Sequence, residues 1–292
     1  MKKSIFLILL SFLSYGLLAQ DLDSLLNQVS GDEVNYADAA FKSTHVINGQ
    51  SVMQMHKNHL DFRIEHRFGL ISDGIYNFFG LDQSSIRLTL DYALTDWLTV
   101  GIGRSSFDKT YDGSLKFRIL RQSTGKVNMP ISLSFYTDLA AFTRDFSDPT
   151  RTNYNSSRLS FVNQILVARK FTDKFSLQLS PTMVHRNLAP TVLDPNDIYS
   201  MGIGGRYKIT KRMALTAEYF YSIRPPRSSE VYHDPIAIGI DIETGGHVFQ
   251  IMLTNSPVMF DSGFITGTHN ENFFKGDIHL GFNISRIFSF QK

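Results

Sequence analysis

Residues 60–68 read LDFRIEHRF, with Leu60, Phe62, Ile64, His66 and Phe68 alternating against Asp61, Arg63, Glu65 and Arg67. A period of two places these sets on opposite faces of a β-strand, one apolar apart from His66 and one fully charged. A soluble antiparallel sheet can wet such a charged face. A membrane barrel can instead turn it inward while the apolar face meets lipid. The strand alone leaves both open, and the rest of the chain decides.

Lys2 and Lys3 precede an apolar run from Ile5 to Leu18 that ends in LLAQD. This pattern predicts a secretory signal peptide over residues 1–19, cut after Ala19, and the run is shorter than the roughly 20 residues of a spanning helix. An exported β protein is consistent with 24 Phe, 12 Tyr and 20 Gly in 292 residues. The lack of Cys excludes disulfides, c-type haem attachment and thiolate metal sites. A net charge of +2 is too small to argue for nucleic acid, and no cofactor is expected. No Pro-rich or Ser-rich linker divides the remainder, so residues 59–292 are read as one domain after a leader of residues 20–58. Within the leader, Leu22, Leu25, Leu26 and Val29 fall at helical spacing, whereas FKSTHVINGQSVMQMHK (41–57) lacks clean alternation. The latter is expected either as a periplasmic strand or as a segment tucked into a lumen.

From residue 59 the period of two recurs. IRLTLDY, LTVGIG, SLKFRIL, ISLSFY, RLSFVNQILVA, FSLQLS, YSMGIGGRYKI, LTAEYFY, PIAIGIDIE, HVFQIMLT and DIHLGFNI join LDFRIEHRF to make twelve runs. Their connections alternate in length. Short ones fall at 94–97, 122–127, 171–175, 209–212 and 243–246, and longer ones at 69–84, 106–112, 143–157, 186–197, 223–235 and 256–275. Short periplasmic turns, long outer loops and an even strand count are the marks of a transmembrane antiparallel β-barrel, here of about 12 strands, in the cell outer membrane. Tyr92, Trp97, Phe171, Phe175 and Tyr207 beside the short turns suit an aromatic girdle.

The runs NGQSV (48–52), LDFRIEHRFG, YNFFGLDQSSIRLTLDYALTDWLTVGIGRSS and KTYDGSLKFRILRQ resemble an uncharacterised family of exported β-barrel proteins of Bacteroidota, a domain of unknown function. The resemblance implies an outer-membrane barrel and carries no activity.

The polar face defines the candidate site. With the apolar set in lipid, the lumen receives Asp61, Arg63, Glu65, Arg67, Arg87, Asp91, Lys116, Arg118, Arg158, Arg206, Glu218 and Asp241, with Lys208 and Asp277 beside them. Arg and Lys lead in the early strands, which predicts a small-solute channel or binding barrel with a mild preference for anionic solutes. The same charges are also able to pair off and fill the barrel, a barrel of twelve strands lying between filled and open sizes. A docking barrel for an envelope protein partner and a lipid hydrolase are the alternatives, with His66, His185, His233, His247 and His279 as notional bases. The glycines of GIGRSS (Gly101, Gly103) and GIGGR (Gly202, Gly204, Gly205) sit inside strand runs, where lumen-facing glycine is expected rather than a phosphate loop. Asp145 and Asp148, like Asp194, Asn196 and Asp197, read as turn chemistry rather than metal ligands.

Overall fold

A computed structural model describes residues 33–146, 150, 152–189, 191–224, 232–269 and 271–290. The signal peptide, the helical spacing at 22–29 and Asp148 lie outside these residues. Twelve antiparallel strands close into a barrel. They are β1 (His59–Leu70), β2 (Ser84–Ala93), β3 (Leu98–Ser105), β4 (Tyr111–Leu120), β5 (Ser132–Ala141), β6 (Leu159–Lys170), β7 (Phe175–Arg186), β8 (Asp197–Lys208), β9 (Met213–Ile223), β10 (Ile236–Thr244), β11 (His247–Thr254) and β12 (His279–Ser289). Each pairs with its sequence neighbour, and β12 closes on β1 with Phe282 opposite His66 and Asn283 opposite Glu65. Closure leaves no strand edge unpaired, which hydrocarbon requires because it offers the backbone no hydrogen-bonding partner.

Side-chain direction follows the alternation. Outward positions such as Leu88, Ile102, Ile165, Leu179, Ile203, Leu215, Ile240 and Ile251 are exposed, while the intervening polar residues are buried. In a soluble protein this would be inside out; in a membrane it is the stable arrangement. One cross-strand row runs Ile240, Ile251, Phe282, His66 and Ile86 from β10 to β2. His66 fits this apolar row by stacking: its ring lies 4.9 Å from that of Phe282 at an interplanar angle of 6° and 4.5 Å from that of Phe68. Trp97, Phe171 and Tyr207 are exposed at the short-turn end.

The segment 39–57 lies inside the barrel. It enters from the short-turn end, where Val34–Tyr36 pair with Ser123–Gly125 of the β4–β5 connection. Within the lumen it folds back as a hairpin: Val46 N donates to Gly49 O at 2.8 Å and Ser51 N to Thr44 O at 2.9 Å. We call it the plug. Of the two placements open from the sequence, the lumen is the one observed. The missing alternation has a physical reason, since Phe41, Val46, Ile47, Asn48 and Ser51 are all enclosed whichever way they point.

A second segment closes the other end. The long loop between β11 and β12 turns inward as a single helical turn, Asp261–Phe264, burying Met259, Phe264 and Ile265. Phe264 meets Phe220 edge-on at 5.2 Å, within an apolar cluster that includes Val162, Val184 and Ile265. Ser262 and Ser160 share a 2.8 Å hydroxyl bond, and Ser222 donates to Ile265 O at 2.7 Å.

Candidate functional site: a filled, charged lumen

The charged face of β1 builds the site. Arg63 Nε donates to Glu65 Oε1 at 3.0 Å, and Arg87 of β2 reaches the other oxygen, Oε2, at 2.9 Å. Arg87 also holds Asp112 of β4 at 2.7 Å. That last contact crosses over β3, and Gly103 makes it possible, because a Cβ there would collide with the Asp112 carboxylate. Gly101 leaves the same kind of space for Asp91 and Ser114. The glycines of GIGRSS thus serve the lumen. In GIGGR, Gly202 lies under Phe220 and Gly204 under Val46 of the plug, while Gly205 faces outward against Leu177.

These wall charges hold the plug. Glu218 of β9 accepts the backbone amides of Ile47 (3.1 Å), Asn48 (2.8 Å) and Gly49 (3.1 Å), so one carboxylate caps the whole hairpin tip. Ile47 O receives Arg63 at 2.8 Å and Asn283 at 3.1 Å. Gln250 donates to Val46 O at 2.7 Å and Lys116 to Thr44 O at 3.0 Å. The amide of Gln178 brackets the returning arm, accepting from Val52 N at 2.7 Å and donating to Gln50 O at 2.6 Å. Side chains of the plug are held at fewer points: Thr44 donates to Asp61 at 2.9 Å and Gln54 to Lys116 O at 3.3 Å, Ser43 accepts from Arg63 at 2.8 Å, Asn48 from Arg67 at 2.6 Å and Gln50 from Lys116 at 3.2 Å, and Lys42 pairs with Glu243 at 2.9 Å. A buried charge without partners costs several kcal/mol, so barrel and plug satisfy one another.

The rest of the interface is apolar. Phe41, Val46, Ile47 and Val52 of the plug pack with Tyr136, Leu166, Ala168, Ala237 and Met252 of the wall. Between the plug and the wall of β2 to β5, lined in part by Gln54, Asp91, Thr99 and Lys116, there is a cavity of only about 10 Å³. His45, sealed in the plug beside Gln50, is pushed well below its ordinary pKa by burial and then by the positive charges of Arg63, Lys116 and Arg87. It therefore stays neutral in a basic neighbourhood.

Of the residues expected at the lumen, Asp61, Arg63, Glu65, Arg67, Arg87, Lys116, Arg206, Glu218 and Asp241 are buried inside the wall. Asp91 lies opposite Asp61 across β1 and β2. Arg118 sits lower and donates to Gln54 O at 2.7 Å. Arg158 does not line the lumen. It ends a 3-10 turn one residue before β6, and its guanidinium covers Phe142 and Phe146 at 5.3 and 4.1 Å in an outer loop. Asp277 is likewise a loop residue, accepting from Asn272 N at 2.9 Å, and Lys208 is the half-buried last residue of β8. Asp112 and Asp138 were missed, although both are buried lumen positions. Continuing the alternation of ISLSFY through Tyr136 would have reached Asp138; an aromatic on the inner face interrupts the pattern. Asp194 accepts from Thr191 at 2.7 Å, a local turn bond. Among the described residues, no group of three metal-ligating side chains is assembled.

Residues 41–288 match the family described as membrane bound beta barrel domain (DUF5777). The chain belongs to this family. The barrel is a protein of the outer membrane, and the match takes in nearly all of the plug and of the twelve strands. Among solved structures it is similar to the NanC porin, at 8% identity and a TM-score of 0.48 over 80% of this chain and 100% of that one. It is similar also to the KdgM porin, at 10% identity and 0.46 over 80% and 99%. An outer membrane channel from Pseudomonas putida F1 is 14% identical, at 0.46 over 81% and 97%. At these scores the likenesses carry no argument about what the barrel does. No curated protein matches the chain.

Proposed function

We propose that this barrel is a gated channel for small polar solutes and that the filled lumen is its closed state. The carrying observation is the chemistry of the plug contact. The wall grips the plug through exchangeable hydrogen bonds from Glu218, Gln178, Gln250 and Arg63, each of which water can replace when the segment leaves. A permanently filled barrel would need no such polar wall, since apolar residues of equal volume fill space without the desolvation cost. The mild anion preference expected from Arg63, Arg67, Arg87 and Lys116 is offset by Asp112, Asp138, Glu218 and Asp241, all equally buried. The proposal therefore takes polar solutes without a preferred sign, and the reversal potential across a salt gradient measures it.

The test is conductance in planar bilayers. The full chain is expected to be silent, and Glu218→Gln combined with Arg63→Gln to show opening events. Variants that insert as folded barrels yet never conduct would end the gated-channel reading.

Exposed Ile75, Tyr76 and Phe274 on the outer loops favour a second reading, a docking barrel for an envelope protein, which copurification from membranes tests. The hydrolase reading has no comparable support. His185 meets Asp197 at 2.7 Å, but its other ring nitrogen faces Asn187 Oδ1 at 3.1 Å rather than a hydroxyl nucleophile.

A further inference from the structure

The wall addresses the plug mainly through its peptide backbone. Glu218 takes three consecutive amide N–H groups, Gln178 takes one N–H and one C=O in the manner of a neighbouring strand, and Gln250, Arg63, Asn283 and Lys116 each donate to a carbonyl. Every polypeptide carries these groups whatever its sequence, whereas a sugar or a small acid does not repeat them at this spacing. The closest steric fit to a residue type is at the hairpin tip, where a Cβ on Gly49 would stand 2.8 Å from the Phe220 ring. At Gly204 the wall is shaped to admit Val46, so an apolar side chain is accommodated at that position of the hairpin.

We propose that the solute class of this barrel is extended polypeptide, bound in the place of residues 42–54 as a hairpin with glycine at its tip. This rests on the gated-channel reading and deepens it: the plug is then a resident occupant, similar to the ligand in backbone and exchanged for it. Selectivity is by backbone, by the glycine at the tip and by apolar residues at the positions of Val46, Ile47 and Val52, which are buried against the wall.

The test keeps the full chain. Protease sites introduced beside Asp38 and Lys57, both exposed, allow the folded barrel to be nicked on either side of the plug. Folding is confirmed by the heat-dependent shift in gel mobility. Uptake of a fluorescent peptide of residues 42–54 is then followed, against a peptide of equal length that keeps the glycine and the apolar residues at the positions of Val46, Ile47 and Val52 but is otherwise unrelated, the parent peptide N-methylated at the amides of Ile47, Asn48 and Gly49, and maltohexaose. The two unmodified peptides are expected to bind within about tenfold of each other and the N-methylated one more than about tenfold more weakly, since the three amides that Glu218 accepts are the strongest, charge-assisted bonds of the hairpin tip. Maltohexaose is expected not to compete. Equal binding of the N-methylated peptide, competition by maltohexaose, or a nicked barrel that takes up no peptide would each overturn the proposal. Conductance of the same nicked barrel separates the two readings: ion flow without peptide uptake removes the peptide and keeps the channel, and a folded nicked barrel that stays silent after losing the plug removes the channel itself.

Discussion

Glu218 and Gly49 meet at a close junction, a carboxylate closing on three amides while Phe220 closes on the glycine that has no side chain to resist it. Gly49→Ala is expected to overpack this junction and cost about 1–3 kcal/mol, the usual range for an inserted methyl in a packed interior. The loss should appear as faster proteolysis of residues 40–55 in the folded barrel, and trimming Phe220 to Leu in the same chain should recover part of it. Wild-type protection in the single variant would show that the tip is looser than its packing implies. At this scale the alternation in LDFRIEHRF correctly told which side chains turn inward, because period two is a property of the strand itself. It did not tell what those side chains hold. Arg63 and Gln250 meet carbonyl oxygens of the plug, and carbonyl oxygens are the same in every residue, so no residue type in FKSTHVINGQSV marks them.

Among the elements, the inward loop between β11 and β12 has a stability that depends on pH. Asp261 lies against Tyr136, whose hydroxyl donates to it at 3.0 Å. Burial is the main cause that raises its carboxyl to about 7; Arg87 and the Tyr136 bond oppose the rise, and Asp112 and Glu65 add to it. A carboxyl raised in the folded state binds its proton more tightly there than when the loop is open. The inward loop is therefore most stable in acid, and its stability falls as pH climbs from about 4, the ordinary carboxyl value, to about 7, above which no further change from this group follows. Hydrogen exchange of residues 261–266, corrected for intrinsic rate, should show more frequent opening at pH 8 than at pH 5, and Asp261→Asn should remove the difference. An unchanged pH dependence in that variant would assign the effect elsewhere. The long connection 256–275 was legible as an outer loop from its length, but its return into the barrel was not, since Phe260, Phe264 and Ile265 look the same in sequence whether they meet lipid, a partner or the lumen.

For the whole molecule, the membrane fixes the register. Ile251 stands mid-strand and half-exposed in the row that also holds Ile240 and Phe282. Ile251→Arg is expected to lower barrel stability in lipid vesicles by about 2–4 kcal/mol, the cost of arginine near the bilayer midplane, read from urea titration of the folded fraction. A change below about 1 kcal/mol would place this wall against something wetter than lipid. The twelve-strand count and the alternation of short and long connections were readable throughout because each is repeated along the chain, so that one irregular turn such as 122–127 did not obscure them. The plug, though, has a consequence for the order of assembly. Ile47 O is shared by Arg63 of β1 and Asn283 of β12, and the latter bond joins residues 236 positions apart. Glu218, which grips the same turn, is separated from Ile47 by 171 positions. Such distant partners come together only after long loop-closure costs have been met, so the plug cannot find its full set of bonds while the sheet is still open. The hairpin that lies earliest in the described chain thus becomes fully ordered only once the barrel has closed.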